Sequence, residues 1–481
     1  MKRLLFFIIL LSCGGRQLPV TLSQIDGEQQ AGNYSQATYL IDIYKAQNPT
    51  LSADSVYQLE WRKEKMRRII LDFPYTQKDV IEYVKKYYPN VNDDSLLRWE
   101  TTKALEYKVI DGKKMYFDRA RQNLFRIDKN AIARKLEVDG AGKDVLADTL
   151  QSLLPRIVAG VKQRGNNQAI TMSYKIKYTV TLKPNTVPDG EVVSCWLPFP
   201  RDDNRRQSEV KLLSVNDANY TISPDIFSHK TVFIQKTARK DEPLIFEEEF
   251  SYRAVGEWFD INSATIKPYD TSTVEYKAYT CEKPPHIVFT DSIKAISERI
   301  VGKETDPRIK ARKLFEYIDA AYPWAGAREY ATIDNIPLYV AENFHGDCGQ
   351  VTLLFLTLAR YNGIPARWQS GYMLHPGRVN LHDWGEYYLE GIGWVPVDES
   401  FGVKSSFTDN NDCKYFFASG MDPYRMVVNN DYSGDLYPNK IYPRSDDVDF
   451  QRGELEWRGG NIYYDKFDWN IDVQECKQVA N

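Results

Sequence analysis

The sequence predicts a multidomain α+β protein with a helical N-terminal domain, an antiparallel β-sandwich and a C-terminal α+β domain. Its 481 residues correspond to about three domains of ordinary size. Helix-favouring segments dominate residues 13–169, alternating apolar and polar residues dominate residues 170–283, and residues 284–481 combine an apolar helix with strands. Hydrophobic residues make up 43% of the chain, which is ordinary for a globular protein and excludes a disordered chain.

The N-terminal segment predicts export. A basic pair precedes eight consecutive apolar residues, which are too few to span a bilayer, because a spanning helix needs about 20. Residues 1–12 therefore indicate a signal peptide. The stretch Leu10-Leu11-Ser12-Cys13 resembles the lipobox of bacterial lipoproteins, which implies lipid attachment at Cys13 and a lipid-anchored protein of the bacterial cell envelope, on its periplasmic or surface face. The alternative is an ordinary signal peptide cleaved nearby, with Cys13 incidental.

The charge distribution argues against a nucleic-acid partner. The formal net charge is −4, so no global positive field gathers polyanions. Residues 98–135 are locally basic, and a predicted hairpin follows two predicted helices there, as in winged DNA-binding modules. Because the chain is expected to be exported, a solvated basic face is the better interpretation, and we expect no nucleic-acid binding.

Helices and one hairpin are expected in the N-terminal domain. The run from Ser52 to Phe73 is long, charged and helix-favouring, and the segment from Gln77 to Tyr88 places its apolar residues on one face. The pair Asp111-Gly112 lies between two apolar runs and predicts a tight β-hairpin.

Period-two alternation defines the predicted sandwich. From Met172 to Leu182 six apolar residues alternate with polar ones, as in a half-buried strand. Further strands are expected in four segments bounded by turn residues. They are residues 191–197, 231–235, 245–253 and 273–280.

In the C-terminal domain, Cys348 carries the first chemical signal. Asp306-Pro307 starts one helix, and Asp347-Cys348 precedes a strongly apolar helix over residues 351–361. The positive end of a helix dipole is expected to lower the pKa of a thiol placed there. Asp347 would act as the helix N-cap. Taken alone, such a cysteine is more often a small buried hydrophobic residue.

His382 and Asp398 supply the second signal. They lie on two predicted strands joined by a glycine turn, and their even spacing puts them on one face. A symmetric hairpin centred on Ile392 places Asp398 opposite Glu386, so a bulge or an asymmetric loop is needed to bring it to the histidine. A thiol, a base and a group that orients the base are the parts of a nucleophilic triad.

Four motifs carry a resemblance to a known family. They are Gly346-Asp347-Cys348-Gly349-Gln350, Gly363-Ile364-Pro365-Ala366-Arg367, His382-x-Trp384-x-Glu386 and Gly393-Trp394-Val395-Pro396-Val397-Asp398. In this order they resemble the transglutaminase-like superfamily, over about residues 285–410. The resemblance implies a papain-like α+β fold, with Cys348 as nucleophile, His382 as general base and Asp398 as orienting acid. The family includes acyltransferases, cysteine proteases, peptide N-glycanases and members without activity.

Other side chains are weaker candidates. The backbone N–H of Cys348 is an expected oxyanion donor, and Tyr322 or Trp324 is a candidate side-chain partner, with core packing as the alternative. Trp368 and Trp384 are candidates for walls of a cleft, although aromatic residues in strands are usually core. No cofactor is expected, and the isolated spacing of His345 and Cys348 does not indicate a metal site.

Two functions stay open from the sequence. The first is hydrolysis or acyl transfer at an amide of a peptide, protein or glycopeptide, through an acyl-enzyme on Cys348. The alternative is a non-catalytic binding or scaffold lipoprotein on a retired fold of this family. The substrate itself is not predicted. Five cysteines follow Cys13, and an odd number in an exported protein predicts at least one free thiol.

The anchoring hypothesis predicts the effect of Cys13→Ser. Because the thiol is the acceptor of the lipid, we expect this variant to accumulate in an unprocessed or soluble form in a bacterial host. Mass spectrometry of the mature N-terminus measures this outcome. An unmodified N-terminus in the native host contradicts the hypothesis.

Overall fold

Helices and antiparallel sheets make up the computed structural model, which describes residues 18–480. None of the helices in this part of the chain has the length and hydropathy of a membrane-spanning helix. The helices are α1 (Leu22–Gln30), α2 (Tyr34–Gln47), α3 (Ala53–Asp72), α4 (Gln77–Val84), α5 (Asp93–Thr101), α6 (Ala120–Ile127), α7 (Lys129–Asp139), α8 (Val145–Arg164), α9 (Val274–Thr280), α10 (Asp291–Ile300), α11 (Pro307–Ala321), α12 (Ile336–Asn343), α13 (Cys348–Tyr361) and α14 (Asn411–Lys414).

Within residues 18–480, the strands form one hairpin and three larger sheets. They are β1 (Tyr107–Ile110), β2 (Lys113–Tyr116), β3 (Gln168–Leu182), β4 (Val192–Pro198), β5 (Gln207–Val215), β6 (Tyr220–Ile222), β7 (Thr231–Thr237), β8 (Leu244–Trp258), β9 (Ala366–His375), β10 (Arg378–Leu389), β11 (Gly393–Val397), β12 (Gly420–Met421), β13 (Arg425–Asn429), β14 (Glu454–Trp457), β15 (Gly460–Ile462) and β16 (Phe467–Val479). The sheet orders are β11-β10-β9-β13, β12-β8-β3-β16 with β5 also on β8, and β15-β14-β4-β7-β6.

The described residues divide into two compact units. The first contains residues 18–81 together with Glu106–Asp118, and so holds α1 to α3 and the β1–β2 hairpin. The second contains Glu82–Leu105 and the described residues from Arg119 onward. Helices α5 to α8 of the segment 13–169 therefore belong to the same unit as the sheets, whereas α1 to α3 and the β1–β2 hairpin form the other unit.

In the first unit, the predicted helix and hairpin are confirmed. Helix α3 begins after Ser52, whose side chain accepts a hydrogen bond from Ser55 N–H, and it ends before Phe73. The hairpin turns at Asp111, whose carboxylate accepts hydrogen bonds from the backbone and the hydroxyl group of Ser35. These bonds fasten the turn to the start of α2.

The long strand β3 confirms the alternation seen in the sequence. From Met172 to Leu182 every second side chain is buried. The strands predicted near 191–197, 231–235 and 245–253 are confirmed as β4, β7 and β8, but the prediction for 273–280 is wrong. That segment is helix α9, because Thr273 caps it by accepting from Tyr276 N–H, and none of its side chains is buried.

Strands from the end of the chain complete both sheets of the β-rich region. β14 pairs with β4, and β16 pairs with β3 along nearly its whole length. The rings of Phe199 and Phe250 lie 5.4 Å apart, which shows that side chains from the two sheets meet in one core. The sheets of the segment 170–283 therefore also draw on strands from the segment 284–481.

Helix α13 covers one face of the sheet β11-β10-β9-β13. Gly385 of β10 lies where an added Cβ would be 3.1 Å from Leu356, and the rings of Phe355 and Tyr387 pack edge to face. Odd-numbered residues of β10 therefore face α13, and even-numbered residues face away, because side chains alternate along a strand.

Gly371 in β9 provides a test of how closely β9 packs against β13. A Cβ on Gly371 would lie 2.0 Å from the backbone oxygen of Met426, and backbone atoms cannot rotate away. We expect Gly371→Ala to lower the free energy of unfolding by about 2 kcal/mol or more, measured by chemical denaturation. Gly142→Ala is the matched control, since nothing lies within 4 Å of its Cβ position. Equal stability of the two variants would contradict the described packing of β9 against β13.

Candidate active site

Cys348 is the first residue of α13. Asp347 is the N-cap, as predicted: its Oδ1 accepts from Gln350 N–H at 3.1 Å, and Gln350 Oε1 accepts from Asp347 N–H at 3.3 Å. This reciprocal capping box holds the first turn. Every residue from Gly349 to Arg360 is buried. The predicted apolar helix is therefore confirmed, and the thiol stands on a rigid base.

The thiol contacts Asp383, the residue that follows His382. Cys348 Sγ donates to Oδ2 of Asp383 at 3.3 Å. The hydroxyl group of Tyr330 donates to Asp347 Oδ1 at 2.7 Å and also lies 3.3 Å from Asp383 Oδ2. Within the described residues, Cys348 forms no hydrogen bond with His382. The sulfur thus meets the face of β10 from which Asp383 projects.

Gly349 allows this close arrangement. A Cβ at this position would lie 2.3 Å from the hydroxyl oxygen of Tyr330 and 2.6 Å from Asp383 Oδ2. Both distances are far below van der Waals contact. The glycine therefore makes room for two polar side chains of the protein at the helix start.

Burial and carboxyl groups keep the thiol protonated. Burial raises the pKa of the Cys348 thiol, and the neighbouring Asp383 and Asp347 raise it further, because each disfavours a negative sulfur. Burial also raises the pKa of Asp347 to about 6. Burial and contact with Asp449 raise the pKa of Asp383. The expectation that the helix start lowers the pKa of the thiol is therefore wrong. The helix-dipole effect is at most ~2 kcal/mol, and burial together with the two carboxyl groups outweighs it.

His382 and Asp398 form a buried pair. Nε2 of His382 lies 2.7 Å from Oδ2 of Asp398, and both side chains are buried. The hairpin pairs Gly385 with Val397, two residues away from the predicted register. Continued by one residue, this register makes Asp398 the diagonal neighbour of His382 on the same face, which is within reach of two such side chains. The offset expected from the sequence is closed in this way.

The pair determines which imidazole nitrogen can act as a base. Burial opposes ionisation of Asp398, but His382 and Arg425 outweigh it and hold the pKa of this carboxyl group well below its usual range. An ionised carboxylate only accepts, so Nε2 of a neutral His382 carries the hydrogen and Nδ1 carries the lone pair. Nδ1 is therefore the atom that can take a proton.

Arg425 extends the pair into a larger buried network. Its Nη1 lies 2.9 Å from Asp398 Oδ2, and its Nη2 lies 3.1 Å from Asp422 Oδ2. On the far side, Nε2 of His375 lies 3.1 Å from Asp422 Oδ1. These five side chains are almost completely buried, the most exposed being His382 at 3%.

The predicted oxyanion partners lie in different surroundings. The Tyr322 hydroxyl group is 3.2 Å from that of Tyr317, and the structure gives it no contact with Cys348. The backbone of Trp324 forms a parallel bridge with Gly346, but its ring is 42% exposed and stacks on Arg126 at 4.6 Å. Tyr330 is the tyrosine that the structure places beside the helix start.

The two predicted cleft tryptophans are core residues in the structure. Trp368 and Trp384 are fully buried, so neither lines an open cleft. The indole N–H of Trp384 donates to Gln369 Oε1 at 2.9 Å, and its ring belongs to a small apolar cluster with Met421 and Val427. Period-two alternation buries both rings because both faces of this sheet are covered.

The remaining cysteines and acidic clusters do not enlarge the site. All five cysteines between residues 18 and 480 are free thiols, whereas Cys13 lies outside the described residues. An acidic group of Asp202, Asp203 and Asp225 is exposed and is ion-paired with Arg201 and Lys230. Nδ1 of His345 lies 2.8 Å from the backbone oxygen of Asn343.

Three residues of the site were not predicted from the sequence. Asp383 stands between His382 and Trp384, and strand alternation alone could have placed it toward α13. Tyr330 lies in a short 3-10 turn, and Arg425 is far from the motifs along the chain. No local signal points to either of them.

The contact with Asp383 predicts how the thiol responds to mutation. We expect Asp383→Ala to lower the pKa of Cys348 and to raise its alkylation rate near pH 7 about tenfold, because an acceptor and a nearby acidic group are lost. Rates are measured with a thiol-directed reagent as a function of pH. Glu399→Gln is the control, since this buried carboxyl group contacts α13 at Thr352 and not at the thiol. An unchanged rate in Asp383→Ala would contradict the assigned contact.

Comparison with known proteins gives the family of the segment that carries these residues. The family model "Transglutaminase-like superfamily" matches residues 294–399. An uncharacterized protein of Haemophilus influenzae is 25% identical over 298 residues, which are 52% of this chain and 78% of that protein.

Two solved structures are also similar to the chain. A candidate cysteine protease from Cytophaga hutchinsonii has a TM-score of 0.44 and 14% identity, covering 65% of this chain and 93% of its own. The periplasmic domain of TgpA from Pseudomonas aeruginosa has a TM-score of 0.26 and 12% identity, covering 48% and 93%. The four motifs and the family match agree, and residues 294–399 form a domain of the transglutaminase-like superfamily.

Proposed function

We propose that the protein is a cysteine-dependent enzyme that cleaves or transfers an acyl group at an amide bond of a peptide, protein or glycopeptide. The observation that carries the proposal is the buried His382–Asp398 pair, in which Nε2 lies 2.7 Å from Oδ2. Asp383, the residue that follows His382 in β10, contacts the Cys348 thiol. A base held in one tautomer and a thiol at a helix start are two of the groups that nucleophilic catalysis needs.

The reaction has two steps. In the first, the Cys348 sulfur bonds to the amide carbonyl carbon, its proton passes to Nδ1 of His382, and the same proton leaves with the amine as the C–N bond breaks. In the second, water attacks the thioester, His382 takes its proton, and the acid departs as that proton returns to the sulfur. Asp398 balances the transient imidazolium charge.

Hydrolysis is the favoured outcome. Water is the default acceptor for a thioester, and nothing in the sequence marks a site for an acceptor amine. An amine attacking the same thioester would give transamidation with the same residues in the same roles. The two outcomes differ only in the second step.

The thiol has to exchange partners before it reacts. In the described arrangement it donates to Asp383, and the nearby carboxyl groups favour the protonated sulfur. Because His382 projects from the face of β10 opposite to Asp383, the start of α13 has to shift relative to β10 before the sulfur reaches the imidazole. This shift replaces an acceptor that keeps the proton near sulfur by one that carries it away. We propose that substrate binding drives this shift by displacing the thiol from Asp383.

A non-catalytic scaffold is the second candidate. The observation that favours it is the same contact, because a buried thiol bonded to a carboxyl group is a poor nucleophile. The His382–Asp398 pair weighs against it, since a buried carboxylate bonded to an imidazole at this position has no evident use in a scaffold.

The location that we propose is the bacterial cell envelope. The lipobox-like residues before Cys13 support anchoring through an N-terminal lipid, on the periplasmic or the surface face. Peptides and glycopeptides of the envelope are then the substrates within reach.

The triad predicts a graded loss of activity. We expect Cys348→Ala to abolish turnover, His382→Ala to reduce it about 10³-fold or more, and Asp398→Asn to have a milder effect, because the imidazole stays but loses its orienting charge. The assay is mass spectrometry of peptide, glycopeptide and wall-peptide libraries incubated with the full chain.

Labelling of the thiol separates the two candidates. In a background with Ser at Cys13 and at the exposed Cys281 and Cys476, an electrophilic amide or ester probe is expected to label Cys348, and His382→Ala is expected to abolish this. The buried Cys195 and Cys413 serve as internal controls. Labelling that is independent of His382, together with no turnover on any library, would leave the scaffold as the function.

A further inference from the structure

We propose that Arg425 is a positioning residue for the general base: by sharing Asp398 with His382, it keeps the imidazole uncharged and in one orientation. The inference rests on the proposed function for its role in catalysis, but its physical content is independent of any substrate. Arg425 lies in β13, outside the segment that matches the family model.

The geometry places the His382 imidazole and the Arg425 guanidinium group on one carboxylate oxygen. Oδ2 of Asp398 lies 2.7 Å from Nε2 of His382, to which it is hydrogen-bonded, and 2.9 Å from Nη1 of Arg425, with which it forms an ion pair. Oδ1 receives the hydroxyl group of Ser400 at 3.0 Å and the backbone N–H of Phe401 at 3.1 Å. With both oxygens engaged twice, the carboxylate has one orientation, and so has the imidazole bonded to it.

The guanidinium group is itself held on several sides. Its Nε and Nη2 donate to Asp422 Oδ2 at 3.2 and 3.1 Å, and its carbon lies 4.1 Å from the ring centre of Phe401. The side chain is 1% exposed, so solvent does not compete for its donors. The planar guanidinium group of an arginine can contact two carboxylates at once, which the ammonium group of a lysine does less well.

Several charged groups determine the proton affinity of His382. Burial lowers the pKa of its imidazole, Asp398 raises it, and Arg425 and His375 lower it. Asp422 lies behind Arg425 and His375, and Lys404 faces Asp398, with its ammonium group 5.6 Å from the Phe401 ring. Asp383, the next residue on the same strand, projects toward the Cys348 thiol.

The sign of the effect of Arg425 follows from Coulomb's law. A cation next to Asp398 cancels part of the field that would attract a proton to His382, so its removal raises the pKa of His382. Without Arg425, the imidazole of His382 is therefore protonated up to a higher pH, and a protonated imidazole cannot accept the thiol proton. Arg425 therefore extends the working range of the base toward lower pH.

The test is an NMR titration of the histidine rings. The chain has only five histidines, so selective ¹⁵N labelling gives few signals, and His382→Gln assigns the one of interest. We expect Arg425→Gln to move the midpoint of His382 upward by about one pH unit, a tenfold change in proton affinity. Arg425→Lys is expected to raise the midpoint less than Arg425→Gln does, because a single ammonium group still reaches Asp398.

Arg206→Gln is the matched control. Like Arg425, Arg206 is buried and lies 5.7 Å from the ring of Trp384, but it donates to Gln369 and not to Asp398. We expect this variant to leave the His382 midpoint unchanged even where it lowers stability. Near-UV circular dichroism verifies the fold of each variant.

The outcomes separate this proposal from the proposed function. An unchanged His382 midpoint in folded Arg425→Gln, or an equal shift in Arg206→Gln, overturns the role of Arg425 whatever the activity is. If Arg425→Gln does not fold, Arg425→Lys decides: a higher midpoint with the Nε2–H tautomer retained supports the role, and an unchanged midpoint overturns it. Absence of turnover in the wild type bears only on the proposed function.

Discussion

The ionised carboxylate of Asp398, buried away from water, is the group on which the site depends. A buried charge is stable only when it is paired and fully hydrogen-bonded, and Asp398 has partners on both oxygens from three parts of the chain. Those partners fix the imidazole of His382, and the imidazole has one nitrogen left that can take a proton. The orientation of the base is thus a consequence of satisfying one charge.

Two supports of the site lie beyond the segment that carries the motifs. Arg425 comes from β13, and Gln451, which donates to both Asp383 and the backbone oxygen of His382, comes from the loop before β14. β14 and β16 then close the two sheets of the β-rich region. The candidate active site and the sheets around it therefore depend on each other in folding, because residues from the same C-terminal stretch contribute to both.

Two opposing influences act on the thiol. The N-terminus of α13 favours a negative sulfur, whereas burial and the carboxyl groups of Asp347 and Asp383 disfavour it, and the second influence is larger. A protonated resting thiol resists adventitious oxidation, since the thiolate is the reactive form. The cost is that reaction has to begin with movement of the sulfur away from Asp383.

The sequence by itself determined the local elements of this protein and the residue types of its site. Capping residues and turn glycines are short-range signals, so α13, the β10–β11 hairpin and the motif residues Cys348, His382 and Asp398 were predictable. Only the tertiary structure decided which of these side chains meet. The register of the β10–β11 hairpin brings His382 next to Asp398. Because α13 packs on the other face of β10, Cys348 contacts Asp383. Arg425 entered through a strand from outside the motifs, because pairing between distant strands depends on the whole core and leaves no mark in the local sequence.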